Sequence, residues 1–154
     1  MTPQNIVAVR HPGFLTTVQD LGRHGYGHIG MPVAGVMDEY AVRVGNILIG
    51  NDENTPVLEM TLLGPTLEFR QNTTFVATGG DLQPRLNQEP VEMWRVLQAQ
   101  SGDRLNFSGA VNGCRAYLTV AGGFDVPLVM GSASTYLRGK IGGFEGRALR
   151  AGDS

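Results

Sequence analysis

Residues 16–38 read TTVQDLGRHGYGHIGMPVAGVMD, and the fold turns on how their glycines are read. The run GYGHIG, Gly25 to Gly30, has the spacing of a dinucleotide-binding loop. Such a loop follows a buried strand and opens directly into a helix whose first N–H groups meet the phosphates. Here the preceding TTVQDLGRH is polar, and in the following MPVAG both Pro32 and Gly35 interrupt any helix. No later alternation of strands and helices supplies the sheet that such a site needs. A kinase glycine loop is excluded as well, because neither its lysine strand nor its catalytic loop follows. Gly139-Lys140 imitates the end of a phosphate loop, but Ser134 stands where the first glycine belongs and Ile141 where Ser or Thr belongs. The glycines of this stretch are therefore read as shaping a bend, not as holding phosphates.

Outward from that bend, a period of two recurs along the chain. In VLEMTLL, Leu58, Met60 and Leu62 point one way and Glu59 and Thr61 the other. TLEF turns Leu67 and Phe69 inward, and TTFVATGG, PVEMWRVL, DRLNFSG and RAYLTVAGG continue the rhythm between turn residues. This predicts a mainly β chain, an antiparallel sandwich or barrel. One segment breaks the pattern. Met37, Ala41, Val44 and Leu48 recur at helical spacing, which predicts a helix near residues 38–49 with that stripe plugging the barrel. Asp38 suits the N-cap, Glu39 the positive end of the dipole, and Gly50 the left-handed closing position.

Composition narrows the function. A net charge of −2 over 154 residues gives no pull toward nucleic acid or an anionic membrane. No window is long and apolar enough to cross a bilayer, and the start of the chain lacks a signal-peptide pattern, so a cytoplasmic protein is expected. The lone cysteine, Cys114, excludes an internal disulfide and is expected to be a buried, inert thiol. His24 and His28 are four apart, but the glycines between them deny a helical metal-ligand pair, and no metal site is expected. No Gly-x-Ser-x-Gly elbow anchors a serine hydrolase. Residues 1–154 read as one domain. Its closing turn, Gly152-Asp153, is expected to lead into a further strand, as in the first half of a longer protein.

Five segments in order, TTVQDLGRHGYGHIG, GVMD, NILIGNDENTPVLEMTLLGPTLEF, AYLTVAGGFDVPLVMGSASTYLR and IGGFEGRALRAGD, closely resemble the KipA family. This family is also called allophanate hydrolase subunit 2, or biotin-dependent carboxyltransferase-like. The resemblance implies a cyclophilin-like β-barrel in two related halves, this chain being the N-terminal one. It implies an ATP-dependent 5-oxoprolinase complex, in which this chain belongs to the C subunit and has two partners, a KipI-like protein and a lactam-utilisation protein. ATP would act in the complex, not necessarily on this chain, and half the architecture alone is expected to be inactive. Two alternatives follow from the same likeness: a regulatory protein that antagonises a KipI-like kinase inhibitor, or the carboxyltransferase part of a biotin-dependent urea carboxylase. Gly79-Gly80 stands where Gly-Ala is commoner in the family, and Gly139-Lys140 where Ala-Gly is, so Lys140 argues against a strict left-handed glycine there.

Opening a lactam calls for a polarised carbonyl and a bound carboxylate, so arginine is the side chain to seek. Arg23, among glycines, is the first candidate for an anion clamp, against a plain ion pair with Asp20. Gln19 and Asp20 could orient an amide or activate water, or could simply fix the glycine turn. Asp38 is read first as a cap. Glu59 interrupts an apolar strand and must be paired if it is buried. Tyr136 and Arg138 alternate with Leu137 and could share a face near the same pocket, while Met31, Met60, Met93 and Trp94 read as packing.

Overall fold

A computed structural model describes residues 5–154. Its strands are β1 (Val7–His11), β2 (Leu15–Gln19), β3 (Val57–Thr61), β4 (Thr66–Phe69) and β5 (Thr73–Asp81), with the helix α1 (Glu39–Ile49) between β2 and β3. There follow β6 (Arg85–Leu86), β7 (Glu89–Pro90), β8 (Leu97–Ala99), β9 (Arg104–Asn106) and β10 (Asn112–Val120). Every pairing is antiparallel. The ladders form two five-stranded sheets, ordered β1-β4-β9-β6-β7 and β2-β3-β10-β5-β8, which do not close into the single cyclophilin-like barrel expected from the family resemblance. GYGHIG makes a single 3-10 turn at Gly27–Ile29, as expected of a bend.

The core lies between the sheets. Val9, Leu67, Phe69 and Leu105 face it from one sheet, and Val18, Leu58, Met60, Phe75 and Leu118 from the other. Phe69 and Phe75 meet across it with ring centroids 5.4 Å apart, an arrangement that suits their quadrupoles. Each such side chain contributes about 1.5–3 kcal/mol by leaving water.

Three expectations about the strands are corrected. Leu62 does not join Leu58 and Met60 in the core; it lies past the end of β3 at φ 61 and is exposed, because the chain turns there to bond Cys114 and Ala110. PVEMWRVL is mostly a turn: Trp94 sits at φ 63, pinned by its N–H to the Ala77 carbonyl, and only Leu97–Ala99 pairs with β5. Cys114 is exposed, not buried, at the irregular end of β10.

The helix has its expected ends, but its inward face is rotated from the expected stripe and keeps only Ala41 of it fully buried. The Asp38 side chain accepts from the Ala41 N–H, and Gly50 closes the helix at φ 80. Ala41, Val42, Gly45 and Asn46 are buried, while Met37 and Leu48 are exposed and Val44 only half-buried. The cause is close approach to β5 and β10. A Cβ on Gly45 would stand 2.8 Å from the Thr119 hydroxyl, and Thr78 Oγ1 donates to the Ala41 carbonyl at 2.9 Å. Gly45 and Ala41 fit at that distance, which turns Val42 and Asn46 inward beside them and leaves Ile47 and Leu48 outward.

Candidate functional site

The bend 19–23 is buried. Asp20, on the residue after β2, is 1% exposed and saturated: Oδ1 accepts from the Gly22 N–H at 2.9 Å and from the Ser132 and Ser134 hydroxyls at 2.6 Å each, and Oδ2 from the Ala133 N–H at 2.7 Å. Burial alone would raise its pKa, but these four donors outweigh it and hold the carboxyl below its ordinary value. Arg23 is also 1% exposed and does not pair with Asp20. Its Nε donates to the Val129 carbonyl at 2.7 Å, and Nη2 to the Ser132 and Ser134 carbonyls at 3.3 and 3.1 Å. Gln19 donates to the Thr135 carbonyl at 3.1 Å. These three side chains therefore latch segment 129–135 onto β2, Asp20 with both carboxylate oxygens and Arg23 and Gln19 with part of their donors. Gln19 Oε1 and Arg23 Nη1 are the two buried atoms of this latch without a protein partner.

Asp38 and Glu59 come together at the start of α1. Glu59 is 8% exposed and accepts from the Met37 N–H at 2.9 Å and the Tyr117 hydroxyl at 3.0 Å, with Arg115 Nε at 3.7 Å. The Tyr117 oxygen in turn accepts the Asp38 N–H at 2.9 Å. Burial, and then the charge of Glu59, push the Tyr117 phenol above its ordinary pKa, so it stays protonated and remains a donor. Beside this network opens a cavity of about 610 Å³, lined by Asp38, Gly79, Gly80, Asp81, Trp94 and Asn112 among others. Its size is that of a small-molecule site.

The floor is bare backbone for a physical reason. At the bulge between β5 and β10, a Cβ on Gly79 would meet the Arg115 carbonyl at 2.7 Å, and one on Gly80 the Asn112 carbonyl at 2.9 Å. The strands close behind these glycines, and nothing but hydrogen faces the cavity from them. At the rim stands the exposed ring of Trp94, with the exposed Tyr40 ring 6.3 Å beyond it. A bulge that bares the backbone beside polar groups is a common setting for a site. Tyr136 and Arg138 are elsewhere: residues 136–141 form a tight hairpin, the Tyr136 ring packs on Gly139, and neither lines this cavity.

Sequence reasoning singled out Asp38 and Glu59 as candidates but did not connect them to each other. It missed Tyr117, Asn112 and the Gly79-Gly80 floor, and read Trp94 as packing where it stands 40% exposed. The available signal was the paired glycines inside a strand pattern, which mark a bulge or a close backbone approach. Among the described residues no group of three or more potential metal ligands converges, and no helix is long and apolar enough to cross a membrane.

Comparison with known proteins identifies the family. The sequence profile described as "Carboxyltransferase domain, subdomain A and B" matches residues 29–154. The chain is 48% identical over 142 residues to the C subunit of 5-oxoprolinase from Escherichia coli, covering 92% of this chain and 46% of that protein. It is 44% identical over 146 residues to urea amidolyase of Lachancea kluyveri, covering 94% of this chain and 8% of that protein. The crystal structure of Kluyveromyces lactis urea carboxylase superposes with a TM-score of 0.95 at 40% identity, over 99% of this chain and 14% of that one. The chain thus spans less than half the length of these relatives. It belongs to the carboxyltransferase domain family, subdomains A and B.

Proposed function

We propose that this chain supplies part of the C subunit of a cytoplasmic, ATP-dependent 5-oxoprolinase, which opens the lactam of 5-oxoproline to give glutamate. The observation that carries the reading is the bare-backbone cavity beside Asp38, in a chain 48% identical to a 5-oxoprolinase C subunit. A lactam presents an N–H and a C=O on one edge. The Asn112 amide can both donate and accept, Asp38 and Asp81 add acceptors, and the Trp94 and Tyr40 rings offer flat apolar cover. Glu59 and protonated Tyr117 hold the Asp38 backbone in place beneath. Gln19, Asp20 and Arg23 serve the site indirectly, by fixing segment 129–135.

ATP does not fit the residues present. GYGHIG ends at Gly30 with φ 80 and opens into no α-helix, so it offers no row of N–H groups to a triphosphate. Nucleotide chemistry is assigned to the two partners, the KipI-like protein and the lactam-utilisation protein. The outward apolar residues Met37, just before α1, and Tyr40, Ile47 and Leu48 along it suit a partner that completes the site. We read the two sheets as a cyclophilin-like arrangement opened along its sides.

The test is glutamate release from 5-oxoproline and ATP, measured with the full-length protein and its two partners present together and singly. Release only in the full mixture is expected. A second reading is favoured by the 0.95 superposition on urea carboxylase: the same cavity would take the neutral ureido ring of biotin, which Trp94, Tyr40, Gly79 and Gly80 would hold. Biotin supplies the transferable carboxylate when bound. Carboxyl transfer to urea without lactam opening would establish that reading and overturn the first. Binding to the KipI-like partner with neither activity would instead favour a regulatory role.

A further inference from the structure

We propose that the free edge of β1 takes one more antiparallel strand, and that the strand residue opposite Val7 is apolar and fills the cavity below it. The inference is independent of the function proposed above. A second cavity, of about 510 Å³, lies where the β1 and β2 edges of the two sheets meet, and core residues form its walls: Val7, Val9, Val18, Leu58, Phe124 and Leu149. Apolar space of this size in a core forfeits dispersion contacts on every wall.

The backbone above it is also incomplete. The Arg70 N–H donates to the Ile6 carbonyl at 2.8 Å, which places Ile6 and Ala8 in the positions bonded to β4. By alternation the N–H and C=O of Val7 and Val9 point to the outer edge. Those of Val9 are taken. The Val9 N–H donates to the Asp153 carbonyl and the Gly152 N–H to the Val9 carbonyl, both at 2.8 Å, and Gly152 lies at φ 95. This is a glycine bulge in an antiparallel pair. It sets Asp153 opposite Val9, Ser154 opposite Ala8, and the next strand position opposite Val7. No described residue bonds the outward groups of Val7. Asn5 Nδ2, at the same edge, reaches Ser154 Oγ at 3.4 Å.

Paired residues in a ladder share a face. Val7 faces the core at 7% exposure, so its partner must point into the cavity that Val7 lines. The occupant is the segment that follows position 154 in the longer family members. Two relatives, 48% and 45% identical, carry more than half of their length outside the matched part, since the match covers 46% and 44% of them.

The experiment compares the 154-residue chain with two versions extended by four residues, one with Leu and one with Asp at the position opposite Val7. Amide exchange at Val7 and the melting midpoint are read for each. With Leu, protection of the Val7 amide rises about tenfold or more, and the midpoint exceeds that of the Asp version by about 3 °C or more. Unchanged exchange at Val7, equal midpoints for Leu and Asp, or a Leu version that fails to fold would each overturn the proposal. So would a dimeric 154-residue chain with Val7 already protected, because a second copy would then occupy the edge.

Discussion

Asp20 and Asp38 both stand next to glycine-rich stretches near the ends of regular elements, yet the structure uses them in opposite ways. Around Asp20 every carboxylate oxygen, and most of the arginine and glutamine nearby, is spent on hydrogen bonds within the protein. Around Asp38 the buried Tyr117 hydroxyl and Glu59 Oε2 are hydrogen-bonded to each other and to the backbone of residues 37 and 38, while the surface above them is left as bare backbone, two aromatic rings and an amide. The fully bonded Asp20 carboxylate marks the first as a latch. A hydrogen-bonded network beneath an open surface of backbone and aromatic rings marks the second as the candidate site. The difference predicts that damage to the latch appears as lost stability, and damage to the rim as lost activity at nearly constant stability.

The largest effect is expected at the latch. Asp20→Ala leaves two serine hydroxyls and two N–H groups without their acceptor in a buried place, and should destabilise by about 3–5 kcal/mol in urea unfolding. A loss under about 1 kcal/mol would break the comparison, because Asp20 would then be an ordinary surface-like carboxylate.

Acid sharpens the same point. The folded-state pKa of Asp20 lies below its unfolded value, so its stabilisation is complete above the ordinary carboxylate range. It is lost as pH falls from about 4 through the lower folded value. Glu68, Asp103 and Asp153 share that direction, so the measurement is a difference. Asp20→Asn, which cannot titrate, should show a shallower fall of stability below about pH 4 than the parent. Parallel profiles would remove Asp20 from the acid response.

Tyr117→Phe should cost less, about 1–3 kcal/mol, since it strands the Asp38 N–H and removes one of the two donors to Glu59 Oε2 while preserving the ring's packing. It should also lower activity of the assembled complex, because the phenol fixes the Asp38 backbone at the cavity. Lost stability with full activity would make this network another latch.

What could be read from sequence follows from how far the partners lie. The Asp38 cap and the Gly50 close depend on residues within one helical turn, and both are as expected. The failure of GYGHIG as a phosphate loop was equally local. Arg23 was different: its acceptors lie more than 100 residues away, on Val129, Ser132 and Ser134, and no spacing rule reaches them. A clamp for an outside anion and a clamp on backbone carbonyls need the same guanidinium. The helix was misread for another reason. Periodicity finds the most apolar stripe, whereas close packing on Thr78 and Thr119 turns the helix about Ala41 to bring Gly45 inward. Trp94 was taken for packing because nothing in its neighbours announces a left-handed backbone at φ 63.

That backbone supports the subtlest prediction. A non-glycine residue in the left-handed region costs about 1–2 kcal/mol, and Trp94 keeps it while 40% exposed. Trp94→Gly relieves that strain but gives up the Tyr40 contact, worth about 0.5–1.5 kcal/mol, and adds chain entropy to the unfolded state, about 0.5–1 kcal/mol. These effects nearly cancel, so unfolding should shift by no more than about 1 kcal/mol in either direction. Activity of the full complex should nevertheless drop, with KM rising more than kcat falls if the ring only covers the substrate. A stable variant with unchanged KM and kcat would leave the strained tryptophan unexplained and would take the rim out of the site.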